Sequence, residues 1–256
     1  MIISGTQIKN AAHSFLAGLP VRGLFLNEWR TSLLFPNTAY AHFDSAFDDL
    51  PEMVKQHRLY FKAGKRGFGE DAFHVMWYYL FKRYDIDRFL EIGVYRGQTL
   101  SLAALLQKRL DRKQNVTGIT PMTDSGDAVS HYADLDYETD IRSHFAFFEL
   151  IGPRLVKAYS TDKDSVDVLR TEKFDCIYID GSHDYETVRH DWHLCSGAVD
   201  AGGLIVLDDA GLYTGFRALK YGFRGHPGPS KTAAEIDPKR FRKILQVGHN
   251  LVFQKY

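Results

Sequence analysis

Five short apolar runs, each separated from the next by a stretch with helical spacing, limit this chain to few architectures. The runs are "RFLEIGV" (88–94), "NVTGIT" (115–120), "RLVKAYS" (154–160), "FDCIYID" (174–180) and "GLIVLDD" (203–209). Between them stand "TLSLAALLQKRLD" (99–111), a helical pattern through "DIRSHFAFFEL", the short "SVDVLRTE", and "YETVRHDWHLCSGAV" closed by Gly202 and Gly203. Strand and helix in strict alternation give parallel strands joined by right-handed crossovers, with helices on both faces. The end breaks the rule: "KILQVGHNLVFQKY" is two strand-like runs around "GHN", a β-hairpin that finishes the sheet antiparallel. The expected fold is α/β, a doubly wound, seven-stranded, mostly parallel sheet with an antiparallel C-terminal hairpin.

Ahead of the alternation, "EDAFHVMWYYLFKRY" (70–84) places Phe73, Met76, Trp77, Leu80 and Phe81 at helical spacing. Residues 1–66 follow no clear period, and the glycines of "GKRGFG" (64–69) read as a boundary. Two regions are therefore expected: an N-terminal helical extension over 1–66, serving as lid or oligomer contact, and a catalytic domain over 67–256. "RGHPGPS" (224–230) reads as a turn-rich loop in the connection to the hairpin.

A sheet of this kind binds ligands beyond the carboxyl ends of its strands, here after Val94, Thr120, Ser160, Asp180 and Asp208. At the first of these ends, "EIGVYRGQT" sets Glu91 before Gly93, Tyr95 and Gly97. The spacing is E-x-G-x-x-x-G, not the G-x-G-x-x-G that cradles a pyrophosphate. Glu91 would repel a phosphate, whereas it suits a ligand with positive charge such as S-adenosylmethionine, which has a sulfonium and an ammonium. A plain tight strand-to-helix turn is the alternative. The candidate cofactor residues are Glu91, Gly93, Tyr95, Gly97, Thr120 and Ser160.

Asp180 closes one strand, and Asp208 with Asp209 closes another. Neighbouring strands lie about 4.8 Å apart, so these carboxylates should crowd together, which costs energy unless they share a proton or a cation. Oxygen ligands select Mg2+ or Mn2+. The alternatives are a carboxyl that keeps its proton with no metal, or Asp208 capping a helix with Asp209 exposed. His183, three residues after Asp180, is placed to take a proton from a substrate hydroxyl; its alternative is a solvated helix-start residue. Asp180 and His183 are the candidate catalytic pair.

Lys plus Arg number 32 and Asp plus Glu number 32, so the net charge of +0 offers no case for nucleic acid or an anionic membrane as partner. No apolar run approaches the ~20 residues of a membrane helix. Cys176 and Cys195 fit no zinc spacing and read as reduced, buried thiols of a cytoplasmic protein.

Together, "FLEIGVYRGQTLS", "FDCIYIDGSHDYETVRHDW" and "GGLIVLDDA" resemble class I S-adenosylmethionine-dependent methyltransferases, over roughly residues 70–256. Within them, the motifs look like the metal-dependent branch of macrolide-sugar and aminocoumarin-sugar O-methyltransferases. The resemblance implies a Rossmann-like methyltransferase fold, a cofactor loop at Glu91, Gly93 and Gly97, Mg2+ on Asp180, Asp208 and Asp209, and His183 as base. It also implies a small-molecule hydroxyl acceptor, a sugar in kind, and leaves room for a homo-oligomer. Where many relatives carry an acid for the cofactor ribose, this chain has Thr120 and Pro121, with Asp124 and Asp127 in the loop beyond. A cephalosporin-hydroxylase-like enzyme, or a binding scaffold that lost catalysis, would use the same fold.

Overall fold

The computed structural model describes residues 27–123, 135–217 and 223–256. Its core is a seven-stranded sheet: β1 (Phe89–Ile92), β2 (Val116–Thr120), β3 (Arg154–Lys157), β4 (Phe174–Ile179), β5 (Val199–Leu207), β6 (Phe241–Val247) and β7 (Asn250–Lys255). The spatial order is β3-β2-β1-β4-β5-β7-β6. The first five strands pair in parallel, and β7 runs antiparallel to both β5 and β6. This is the expected sheet, and the chain reverses strand order between β1 and β4, where such sheets open a crevice.

Alternation of side chains decides what each face carries. Leu90, Ile92, Ile177, Ile179, Ile205 and Leu207 point to one apolar layer. Phe89, Cys176, Tyr178, Leu204 and Val206 point to the other. On the first layer pack α7 (Lys163–Thr171), α8 (Tyr185–Ala198) and α9 (Pro227–Glu235). On the second pack α4 (Asp71–Arg83), α5 (Gln98–Arg109) and α6 (Tyr137–Phe147). Strands covered on both sides read as continuous apolar runs, which is why β1 and β4 were so plain in the sequence.

The N-terminal region contributes α1 (Thr31–Leu34), α2 (Pro36–Ser45), a 3-10 turn (Ala46–Asp49) and α3 (Glu52–Ala63). Trp29, Phe43, Leu50 and Val54 are buried in the same apolar layer as Trp77, Phe81 and Phe89. Ser32 reaches the sheet itself, its Oγ accepting the Gln246 N–H at 2.9 Å. No helix among the described residues is long and apolar enough to cross a membrane.

Two local expectations are corrected. The helix expected to run to the glycine pair ends at Ala198, and β5 begins at once with Val199. β-Branched Val199 sits fully buried and extended, and the Gly202–Gly203 pair lies inside the strand. "RGHPGPS" is not all loop, because α9 starts at Pro227. Prolines in a first turn cost no hydrogen bond, since those N–H groups have no intrahelical acceptor.

Candidate active site

Period-two alternation carries Glu91, Tyr178, Asp180, Val206 and Asp208 to one face of the sheet, with Glu91 opposite Tyr178 and Tyr178 opposite Val206. The ladder then extends past the strands: Asp180 donates its N–H to Ile92 at 2.9 Å, and Asp208 donates to Ile179 at 3.0 Å. Consequently the acid after β4 and the acids after β5 meet at the carboxyl edge, as expected. Asp209 stands at φ 53°, a left-handed turn that swings its side chain back toward the edge. It is 7% exposed and no helix starts there, which removes the capping alternative for Asp208.

The carboxylates are not equivalent. Burial drives the Asp180 carboxyl well above its usual range, and the neighbouring Asp208, to which it is hydrogen-bonded, adds to the rise. Asp209 goes the other way: burial would raise it, but hydrogen bonds from His183 and His249 outweigh burial and hold it below the usual range. His183 Nε2 lies 2.9 Å from Asp209 Oδ2, and His226 Nε2 lies 3.8 Å from the same oxygen. The two imidazoles stack at 3.8 Å between centroids. On the other side, His249 Nδ1 lies 2.9 Å from Asp208 Oδ1 and 3.1 Å from Asp209 Oδ1. Among the described residues no Lys or Arg pairs with Asp180, Asp208 or Asp209. By contrast Arg88, at the opposite ends of the strands, bridges Asp175 and Asp200.

Three histidines therefore surround acids that the sequence placed with one. His226 enters from the N-terminus of α9, its backbone N–H bound to Asp209 O at 2.8 Å. His249 enters from the β6–β7 turn, where the Ala210 N–H binds its carbonyl at 2.9 Å. The "GHN" of the hairpin was visible in sequence, but strand order alone tells that this hairpin docks against β5 and not at a free edge. A small open cleft lies here, lined by Asp180, His183, Asp208 and Asp209 together with the apolar Ile179, Val188, Leu207 and Pro229.

The loop expected to hold the cofactor sits beside this cluster. Gly93 has φ 92°, and a Cβ there would come within 2.1 Å of Asp180 O, so only glycine lets the β1 and β4 loops touch. Gly97, at φ 77°, starts α5. Glu91 is 3% exposed; burial lifts its pKa to about 8 against a backbone hydrogen bond from Leu100, with Asp208 adding to the rise. Its Oε2 has no hydrogen-bond partner, a position that a cationic ligand would satisfy. The Tyr95 ring stacks on Phe68 at 5.2 Å. Thr120 ends β2 nearly buried. Ser160 lies apart from this loop, against the buried Asp191 of α8. Asp124 and Asp127 lie outside the described residues.

With the geometry in place, comparison with known proteins is informative. Residues 90–210 match the family described as a methyltransferase domain. Protein R132 of Acanthamoeba polyphaga mimivirus, itself uncharacterised, is 27% identical over 157 residues, 60% of this chain and 62% of its own length. The chain thus spans less than two thirds of that relative. Among solved structures, a candidate caffeoyl-CoA O-methyltransferase from Staphylococcus aureus aligns over 83% of this chain and 96% of its own, at TM-score 0.57 and 14% identity. The SAH-bound O-methyltransferase of Bacillus cereus aligns over 82% and 94%, at TM-score 0.54 and 14% identity. SAH-bound PaMTH1 of Podospora anserina aligns over 81% and 89%, at TM-score 0.53 and 17% identity. At such identities the likeness is one of fold.

Proposed function

We propose that the chain is a class I methyltransferase, a reading that the match of residues 90–210 supports, and that it transfers the methyl group of S-adenosylmethionine to a hydroxyl of a small sugar or polyol-type acceptor. The observation that carries the proposal is the meeting of Asp180, Asp208 and Asp209 with His183 at the carboxyl edge, one loop away from the buried Glu91. Asp180, Ser182, His183, Asp208 and Asp209 at the cleft offer polar partners to a hydroxylated acceptor, and the motif resemblance supplies the sugar class.

S-adenosylmethionine supplies an electrophilic methyl on a sulfonium. Glu91 gives its cationic methionine end a counter-charge, while Gly93 and Gly97 let the backbone approach it and Tyr95 walls the loop. Thr120 stands where an acid would grip the ribose, and Ser160, turned toward Asp191, completes the proposed set.

The donors at the edge fit a divalent ion: they are close together, buried, and unmatched by Lys or Arg among the described residues. Asp180, Asp208 and Asp209 would hold Mg2+ or Mn2+, which would lower the pKa of an acceptor hydroxyl. His183 takes the proton of that hydroxyl, steadied by its 2.9 Å contact with Asp209. The loops of β1 and β4, in contact at Gly93, hold cofactor and acceptor sides in fixed relation, and positioning of this kind supplies much of a transfer rate.

The test is a screen of sugar and polyol acceptors with isotope-labelled methyl donor, with and without divalent ion, on the wild type and Asp180→Ala. Label transfer that vanishes in a folded Asp180→Ala protein supports the proposal. Full activity in that variant removes the role of the carboxylate edge, and failure to bind S-adenosylmethionine at all removes the activity.

A further inference from the structure

We propose that the divalent ion is bound by His249 together with Asp208 and Asp209, and that it is an ion that accepts nitrogen, such as Mn2+, Fe2+, Co2+ or Zn2+, in preference to Mg2+. This rests on the reading that the carboxylate edge holds a divalent ion; it adds His249 to the residues that hold it and narrows the ion they select.

The three donor atoms, His249 Nδ1 and one oxygen each from Asp208 and Asp209, lie within 4.8 Å of one another. The two nitrogen-to-oxygen edges are 2.9 and 3.1 Å. His249 Nδ1 shares a proton with these carboxylates; an ion in its place, with ligands at about 2.1 Å and at right angles, would keep a similar separation of roughly 3.0 Å. Asp180, hydrogen-bonded to Asp208, stands beside this group.

His249 is built in rather than draped over the site. It is 8% exposed, and its ring is held edge-on by Phe73 at 4.9 Å and by Phe223 at 5.1 Å. Gly248 before it turns at φ 59°, and a Cβ on Gly211 would come within 2.9 Å of the His249 Cα, so the backbone on both sides is close-packed. A rigid imidazole delivered to two carboxylates is a preorganised ligand.

A second observation points the same way. Glu91 Oε2 is buried without a hydrogen-bond partner, and Glu91 is in electrostatic contact with Asp180 and Asp208. Glu91 and Asp180 thus add two acids beside the edge that His183, His226 and His249 face. As for ion identity, Mg2+ demands oxygen ligands and retains its waters, whereas imidazole suits the later divalent ions. His183 and His226 on the far oxygen of Asp209 enrich the surroundings in nitrogen further.

The experiment is a titration of metal-free full-length protein with Co2+, followed by its visible d–d absorption, and with Mn2+, followed by loss of the free-ion electron paramagnetic resonance signal. The expected result is saturable binding with intensified Co2+ bands. A hundredfold excess of Mg2+ should leave Co2+ in place, and His249→Gln should weaken Co2+ binding at least tenfold with its circular dichroism unchanged. The inference is overturned if Mg2+ displaces Co2+ at comparable concentration, if folded His249→Gln binds as the wild type does, or if the wild type binds no divalent ion. Should His249→Gln fail to fold, the Mg2+ competition on the wild type decides alone. Calorimetry of S-adenosylmethionine on the metal-free protein keeps the two proposals separate. Cofactor binding without metal binding sinks the ion site and leaves methyl transfer standing, and metal binding without cofactor binding does the reverse.

Discussion

His183 Nε2 lies 2.9 Å from Asp209 Oδ2, joining the loop after β4 to the turn after β5 across the mouth of the cleft. A carboxylate in that position fixes the orientation of the imidazole and stabilises its protonated form, so the proton from an acceptor has somewhere to go. Replacing His183 by Ala should lower kcat about 10²- to 10⁴-fold, the usual contribution of a positioned base, with a much smaller effect on KM. His183 lies on a loop with its side chain 25% exposed, so circular dichroism should be unchanged. Labelled methyl transfer in steady state checks this, and an unaltered kcat would assign the proton to another group.

Gly93 makes a second prediction because two constraints act on one residue. Its φ of 92° disfavours any side chain, and an added Cβ would sit 2.1 Å from the Asp180 carbonyl oxygen. Left-handed strain together with overpacking gives roughly 2–4 kcal/mol of destabilisation for Gly93→Ala. Relief requires the β1 and β4 loops to part, so S-adenosylmethionine affinity should fall with stability. Denaturant melts and calorimetry read both. A variant with normal stability would show that the loops separate easily.

Much of this was legible in the sequence because parallel strands buried on both faces cannot hide: "CIYID" and "LIVLDD" run apolar up to their terminal acids, and Glu91 alone interrupts "FLEIG". The meeting of Asp180 with Asp208 follows from strand adjacency and period two alone. What the sequence did not reveal is anything set by long-range placement. His249 lies 41 residues beyond Asp208, and only the docking of β7 beside β5 brings them together. His226 could not be assigned to the acids for another reason: prolines at 227 and 229 read as a loop when they stand in the first turn of a helix.

Glu91 gives a pH prediction whose sign can be worked out. Its folded pKa of about 8 stands above the ordinary 4.5. The folded chain therefore binds that proton more tightly than the unfolded chain does, and stability declines as pH rises between those two values. Above pH 8 the folded protein holds a buried carboxylate with one unpartnered oxygen. Glu91→Gln removes the charge, so its stability relative to wild type should rise through this window, by on the order of a few kcal/mol at pH 9. The same variant should bind S-adenosylmethionine more weakly, having lost the counter-charge. Thermal melts at pH 5 and pH 9 without ligand test the first half, and equal shifts at both would remove the assignment.

The N-terminal helices make the last prediction, since their packing bears on whether they act as a detachable lid. Phe61 of α3 is fully buried, stacked near His57 at 4.8 Å and His144 at 4.9 Å. His57 in turn binds Ser101 Oγ at 2.9 Å, and the Ser101 hydroxyl donates to the Gly97 carbonyl at 2.6 Å. A continuous path of packed and hydrogen-bonded groups thus runs from α3 to the glycine that starts α5. Burial holds His57 at a pKa of about 3, with His144 and Arg58 adding to the depression, so His57 is neutral at physiological pH and its link to Ser101 is a neutral hydrogen bond. Truncating Phe61 to Ala should cost about 3–5 kcal/mol of global stability, with one cooperative transition, because Phe61 packs on His57, which binds Ser101 of α5, and on His144 of α6. A lid free to swing would behave differently, melting in a separate early step while the sheet stayed folded. Urea unfolding of Phe61→Ala followed by far-ultraviolet circular dichroism and tryptophan fluorescence distinguishes these: coincident curves support an integral layer, and an early fluorescence step from Trp29 would establish a dissociable one.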